Sequence, residues 1–404
     1  MNKKSLSDVP AALLNGKRVL VRVDYNVPLE NGRVTDDKRI RETVATLQYL
    51  LDRNSCVILT SHLGRPKGKW NEELSLKPAA DHLATLIHAP VHFVKDIVGA
   101  EAKAAADSLK AGEVLVLENI RFLPGEETND PNLSEDLAAM ADVYVNDAFG
   151  SAHRAHASTA GVAEVMKKEG KPAVAGFLME KELRFLGTAL ARPEKPFVAI
   201  LGGAKISGKL DVIENLLPKV DFLLIGGAMA NTFFRALGLE TGGSLVEEDR
   251  VDLAREMIER AGAKLVLPVD CIVASDAKTG VRTWTLGRDG VPPEGKIFDI
   301  GPKSVATFRD VIERAKTVLW NGPVGMFEIG EFAHGTEGVA RAVADATDNG
   351  ATTIVGGGDT AAAVEAAHLA QRVTHVSTGG GASLEFLEGK TLPGVAVLDD
   401  RSAD

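Results

Sequence analysis

Short runs of aliphatic residues alternate with longer segments of helical periodicity along the whole chain. In the first half the apolar runs fall at 18–23, 56–60, 91–94, 114–117 and 143–145, with helical patterns at 37–52, 78–86, 101–110 and 134–141 between them. The second half repeats the alternation, with runs at 197–201, 222–225, 264–267, 318–319, 352–355 and 374–376. These runs are apolar at nearly every position rather than every other one, the pattern of strands covered on both faces. They predict an α/β fold of two doubly wound domains, each a mostly parallel sheet flanked by helices. The first domain is expected over 1–170 and the second over 171–387. A helical pattern at 179–190, between Gly170-Lys171-Pro172 and Arg192-Pro193, is expected to join them. Residues 278–296 have no period, are rich in Gly and Pro, and read as a hairpin excursion from the second domain.

Composition sharpens one point. Of 404 residues, 45 % are apolar and 25 % charged, as in ordinary globular chains, but 40 are Gly. In the second half the glycines sit where apolar runs end and helical patterns begin: 202–203, 226–227, 322 with 325, 356–358 and 379–381. In a parallel sheet that edge faces the N-termini of helices, where free N–H groups bind anions. Five such turns predict a phosphate-binding rim and therefore a nucleotide-binding domain.

The familiar nucleotide motifs do not fit. Gly203 to Leu210 spells G-x-x-x-x-G-K but ends in Leu, where a P-loop needs a hydroxyl for its metal. The Gly356-x-Gly358-x-x-Ala361 segment lacks the carboxylate that a dinucleotide site places on the ribose about twenty residues later. What remains is a triglycine followed by Asp359 and Thr360, with Lys205 and Lys209 one helical turn apart. Asp359 could cap a helix or hold the Mg²⁺ that bridges phosphates, and Mg-ATP suits the set.

The net charge is −10 and no polybasic run occurs, which speaks against a nucleic-acid or membrane-surface partner. No uncharged apolar stretch approaches membrane-span length, and the N-terminus lacks a signal-peptide core. Cys56 and Cys271 are far apart and outside any metal-binding spacing, so buried thiols are expected. A cytoplasmic monomer is the expectation.

The first half carries different chemistry at its strand ends. Arg22, Asp24 and Asn26 leave the first run, His62 and Arg65 the second, Arg121 the fourth, and His153, Arg154 and His156 the last, with Arg39 in the helix after Asp37. Guanidinium groups bind phosphate and carboxylate in bidentate fashion, so this edge suits a small phosphorylated acid. Arg22 can equally be structural.

The stretches VRVDYNVP (21–28), SHLGRP (61–66), ENIRF (118–122), NDAFGSAHRAHAS (146–158), LGGAK (201–205), WNGPVGMFE (320–328), GGGDT (356–360) and STGGGAS (377–383) cover both halves. In this order they resemble the phosphoglycerate kinase family from end to end. The resemblance implies that 3-phosphoglycerate or 1,3-bisphosphoglycerate is held by Asp24, Asn26, Arg39, His62, Arg65, Arg121 and Arg154. It implies that ADP or ATP is held by Gly203, Lys205, Lys209, Asn321, Glu328, Gly356, Gly357, Gly358, Asp359 and Thr360, with Asp359 the Mg²⁺ ligand. An interdomain helix and a C-terminal tail (388–404) returning to the first domain are implied too. Ala228 and Ile297 stand where many relatives carry glycine beside the adenine, and Gly208 where many carry Asp.

The implied reaction is reversible phosphoryl transfer: 1,3-bisphosphoglycerate and ADP give 3-phosphoglycerate and ATP. Its acceptor in reverse is a carboxylate, already anionic at neutral pH, so no general base is required. Arg39, Lys205 and backbone N–H groups near Gly358 and Gly381 are the candidate catalytic groups, brought together by hinge closure. The competing readings are a P-loop-like NTPase, which Leu210 opposes, and a non-catalytic anion-binding module, which Arg39, Lys205 and Asp359 oppose.

Overall fold

The computed structural model describes residues 2–401 and divides into two compact units, Met1–Arg184 with Thr391–Asp404, and Phe185–Lys390. The first unit is built on six parallel strands: β1 (Arg18–Arg22), β2 (Cys56–Thr60), β3 (Val91–Phe93), β4 (Val114–Val116), β5 (Val143–Asn146) and β6 (Ala173–Ala175). Their order is β3-β4-β2-β1-β5-β6. From β1 the chain winds towards β2, and from β5 it winds the opposite way to β6. β1 and β5 therefore flank a topological switch point, where Arg22 and Asn146 lie in register.

The core explains why these runs form strands. Val19, Val21, Val57, Leu59, Val114, Val116, Val143 and Val145 are buried together with Leu47, Leu50, Ala79 and Leu83 from the covering helices Val44–Leu51 and Lys77–Leu83. Each such aliphatic side chain contributes about 1.5–3 kcal/mol on burial. The helix expected over 37–52 is interrupted, running Lys38–Arg41 and then Val44–Leu51. Thr43 sits at the break. Its hydroxyl returns to the Ile40 carbonyl and meets the Tyr25 hydroxyl at 3.0 Å, competing with the helical ladder.

The C-terminal segment completes this unit. Lys4 N–H donates to the Asp399 carbonyl, Asp399 N–H to Ala173, and Gly394 N–H to Ala152. β6 was not foreseen in the sequence. It pairs with β5 and also receives the chain start, through a bridge between Ser5 and Ala175.

The second unit repeats the plan with β7 (Phe197–Leu201), β8 (Phe222–Ile225), β9 (Leu265–Val266), β13 (Thr317–Asn321), β14 (Thr352–Gly356) and β15 (His375–Val376). All pair in parallel, in the order β9-β8-β7-β13-β14-β15. Here the winding reverses between β7 and β13, with Leu201 and Asn321 in register. Between β9 and β13 the chain forms a separate antiparallel sheet of β10 (Asp270–Ala274), β11 (Thr283–Gly287) and β12 (Lys296–Ile300), with β10 central. The expected excursion is thus one strand and two loops of a three-stranded sheet.

The fifteen-residue helix Phe177–Ala191 carries the chain from one unit into the other. Its N-terminus is anchored by the strand end at the first switch point. Asp147, directly after β5, accepts from the N–H groups of Leu178 and Met179 at 2.9 and 3.2 Å, and Thr46 Oγ1 accepts from Phe177. Gly176 passes so close to the Asp147 carboxylate that a Cβ there would collide with it. Asp147→Ala should cost about 1–2 kcal/mol, as lost helix caps do. In calorimetry of the intact chain that is a fall in Tm on the order of 2–8 °C. Asp147→Asn, which keeps one acceptor oxygen, should lose less.

Candidate functional site

At the carboxyl edge of the first sheet, short-range bonds fix the loops and leave part of the positive charge open. Asp24 Oδ1 accepts from Arg39 Nη1 at 3.1 Å, and the same nitrogen reaches the Asn26 carbonyl at 3.2 Å. Asn26 Oδ1 accepts the Gly64 N–H at 2.9 Å, tying the exit of β1 to that of β2. Arg121 Nη1 donates to the Gly64 carbonyl at 2.8 Å, and its Nε lies 3.4 Å from Glu127. Arg65 and Arg154 are exposed, and Arg154 meets only the neighbouring His153 ring, at 3.2 Å. Among the described residues neither has a carboxylate partner. Arg22 differs from the other arginines: it is fully buried, and its donors reach Ser158, Val23 and His62.

At the second switch point the backbone itself comes close. Gly322 has φ +101°, and a Cβ there would strike the Gly202 backbone, so only glycine fits. Gly357, at φ +89°, turns the chain from β14 into the helix Gly358–Ala366. Thr360 Oγ1 in that helix accepts the Gly322 N–H at 2.7 Å. The Lys209 ammonium donates to Asn321 Oδ1, while the buried Asn321 Nδ2 has no partner among the described residues. Lys205, Glu328, Gly358, Asp359 and Gly381 are exposed.

Beside these groups lies a cavity of about 500 Å³. Its wall is mostly apolar, with Phe234, Leu245, Ile297, Val324 and Met326, and Gly203, Glu328 and Asp359 also line it. Ala228 and Ile297, two of the departures from the family pattern, both line it. Gly208 does not, and a side chain there would meet nothing within 4 Å.

Burial sets the electrostatics. It lowers the Lys209 pKa to about 8, against the pull of Glu388 and Asp359. It pushes the Cys271 thiol up to about 12, so this cavity-lining cysteine is an inert thiol. It also raises Asp299, another cavity residue, to about 8, although Gly335 and Ile300 N–H groups bond to its carboxylate. Asp299 and Asn231 line the cavity without having been anticipated from sequence. The signal available for Asp299 was a lone acid inside the otherwise apolar run Ile297-Phe298-Asp299-Ile300.

An apolar slot opening beside lysines and glycine N–H groups suits a nucleoside phosphate, and the arginine-lined edge suits its acidic co-substrate; together they place the chain among the small-molecule kinases. The comparisons with known proteins narrow the class. The family model described as phosphoglycerate kinase matches residues 8–390. A phosphoglycerate kinase of Moorella thermoacetica is 57 % identical over 404 residues, covering 99 % of this chain and 100 % of the relative. That of Chlorobium limicola is 54 % identical over 405 residues, with the same shares. The solved structure of phosphoglycerate kinase from Coxiella burnetii superposes with a TM-score of 0.88 at 42 % identity, over 98 % of both chains. That from Pyrococcus horikoshii OT3 gives 0.83 at 32 %, again over 98 % of both. The chain belongs to the phosphoglycerate kinase family, and it is a kinase whose nucleotide substrates are ADP and ATP. Among the described residues no helix is long and apolar enough to cross a membrane.

The lowered Lys209 pKa has a measurable sign. If nucleotide phosphates raise it on binding, complex formation at pH near 8 takes up about half a proton, and ADP affinity weakens as pH rises through that value. Calorimetry at pH 8 in buffers of different ionisation enthalpy reads this directly. Lys209→Met should remove the uptake.

Proposed function

We propose that the protein catalyses reversible transfer of a phosphoryl group between 1,3-bisphosphoglycerate and ADP, acting as a cytoplasmic monomer without nucleic-acid or membrane partners. The observation that carries the reading is the second switch point, where Asp359 lines an apolar cavity close to Lys209, Asn321 and the Gly357 turn. The nucleoside would occupy the cavity. Its phosphates would extend to Lys205, Lys209, the 356–360 turn and the amides near Gly381.

The acid substrate would lie at the other edge, against Arg39, Arg65, Arg121 and Arg154, with Asp24, Asn26 and His62 fixing its orientation. In the direction of ATP use, a carboxylate oxygen of 3-phosphoglycerate attacks the γ-phosphorus, a new P–O bond forms, and the bond to the ADP oxygen breaks. No proton moves, so no base is needed. Arg39 and Lys205 would balance the charge on the transferring group, and the units would close to bring the reactants within bonding distance.

A divalent cation fits this scheme. Asp359 is an exposed carboxylate at a helix start that also lines the cavity, while no cluster of three metal-binding side chains occurs among the described residues. One carboxylate plus phosphate oxygens is how Mg²⁺ is usually held, so Asp359 would bind it as the nucleotide arrives. When bound, the ion neutralises phosphate charge.

The test is an assay with ATP, Mg²⁺ and 3-phosphoglycerate, coupled to detection of 1,3-bisphosphoglycerate. Turnover that requires the acid supports the proposal, whereas ATP hydrolysis indifferent to it, or no transfer, would overturn it. Lys205→Ala and Arg39→Ala should each lower kcat by roughly 10²–10³ with the fold intact. Arg65→Ala should raise the KM for 3-phosphoglycerate and leave that for ATP in place. Equal effects on both ligands would contradict the assignment of Arg65.

A further inference from the structure

Arg22 stands at the first switch point yet is 0 % exposed. A buried guanidinium has only donors, cannot lose its proton, and therefore dictates the protonation of every group it meets. Its Nε donates to Ser158 Oγ at 2.9 Å. Ser158 Oγ in turn lies 2.7 Å from Glu126 Oε1, and the Ser158 N–H is 2.9 Å from Oε2. Glu126 is itself fully buried, with its carboxyl held below the ordinary range by His156, Arg22 and Ser158 against the cost of burial. An ionised carboxylate only accepts, so the Ser158 hydroxyl proton points to Glu126 and its lone pair to Arg22. Tyr144, also buried, holds the Ser158 carbonyl at 2.8 Å.

The other end of the guanidinium meets His62. Arg22 Nη2 lies 3.0 Å from His62 Nδ1, and the ring is 5 % exposed. Because the arginine nitrogen must donate, Nδ1 must accept, and the proton of the neutral ring then sits on Nε2. The one carboxylate nearby does not reverse this. Asp24 Oδ1 is 3.9 Å from Nδ1, beyond hydrogen-bond range, and already accepts from Arg39 and the Asn26 N–H. We propose that Arg22 is a positioning residue: braced by Ser158 and Glu126, it holds His62 as the neutral imidazole protonated on Nε2, a fixed hydrogen-bond donor to the acid substrate. This rests on the reading of His62 as a substrate-binding residue.

The surroundings agree. Burial, Arg22, Arg121, Arg39 and His156 all push the His62 pKa well below its usual value, although Asp24 lies beside the ring. A histidine so placed adds direction to the site without adding a sixth cation, and its contribution does not vary across neutral pH.

Histidine side-chain ¹⁵N correlation spectra of the ligand-free whole chain test the lock directly, whether or not the protein turns over phosphoglycerate. The expected spectrum shows His62 protonated on Nε2 only and not titrating between about pH 5.5 and 8. Protonation at Nδ1, or a cationic ring at pH 6.5, would overturn the proposal. In Arg22→Met the His62 pKa should rise from its wild-type value, although burial, Arg121, Arg39 and His156 still hold it below the usual one. The KM for 3-phosphoglycerate should rise roughly 3- to 10-fold at pH 8, the weight of one misdirected hydrogen bond. It should fall back as pH drops and the ring protonates, because the imidazolium again donates from Nε2, while the KM for ATP stays put. A rise equal at every pH would mark a purely structural role for Arg22 and defeat the proposal. If Arg22→Met does not fold, the wild-type spectrum decides. A wild-type enzyme without transfer activity would strike the functional reading alone.

Discussion

Repulsion among guanidinium groups governs the edge of the first sheet. Five arginines gathered there would oppose one another strongly at the reduced dielectric of a partly buried site. The fold answers with a carboxylate for each of the three less exposed arginines. Asp24 holds Arg39, Glu127 lies against Arg121, and Glu126 balances Arg22 through a serine hydroxyl. Arg65 and Arg154 are left at the surface, where water screens them. A neutral His62 belongs to the same economy of charge, because a protonated ring there would add to the repulsion it sits beside.

The second unit is suited to phosphate by a different route. Its switch point offers partial charges on backbone N–H groups at the Gly357 turn and at the start of the helix Gly358–Ala366. Full charges are few there, and the partly buried one, Lys209, carries a lowered pKa. Backbone dipoles suit a chain of phosphates flanked by an apolar cavity, because they need no counter-ion when the site is empty. Side-chain crowding would also block the close approach that the glycines permit. Two parallel sheets, each with one switch point, thus suit anions in two different ways.

Much of this was legible in the sequence, for a physical reason. Strands covered on both faces leave unbroken apolar runs, and the motif residues follow those runs directly, so both sheets and their edges could be placed from one dimension. Where the signal failed, the chain departed from that rule. Ala173–Ala175 is three small residues whose strand depends on pairing with β5 and on the Lys4 carbonyl, far away in sequence. β10 and β12 each contain a buried acid that interrupts the apolar run. Asp270 is there to accept the N–H groups of Lys303 and Ser304 at the start of the helix Pro302–Ile312, and Asp299 to accept those of Ile300 and Gly335. The division of labour among the arginines was illegible as well. Arg22, Asp24 and Asn26 share a spacing of two, but Arg22 is still inside the strand, and its partners Glu126 and Ser158 are found only once β1 and β5 are in register.

That register also explains why the candidate sites sit where they do. In each sheet the winding reverses once, between β1 and β5 and between β7 and β13, so the connections leave neighbouring strands in opposite directions and no crossover helix closes the gap between them. The crevice follows from connectivity alone and would exist with any residues at its rim. What the sequence adds is the choice of occupant, made by the few residues that follow each strand: guanidinium groups with their paired carboxylates in one unit, glycine turns with an apolar cavity in the other. On that view Arg22 and Asn321, the last residues of β1 and β13, each stand on one strand of their own unit's switch point and have different duties. One uses its hydrogen bonds inward to orient a neighbouring ring, and the other keeps an amide N–H without a partner among the described residues.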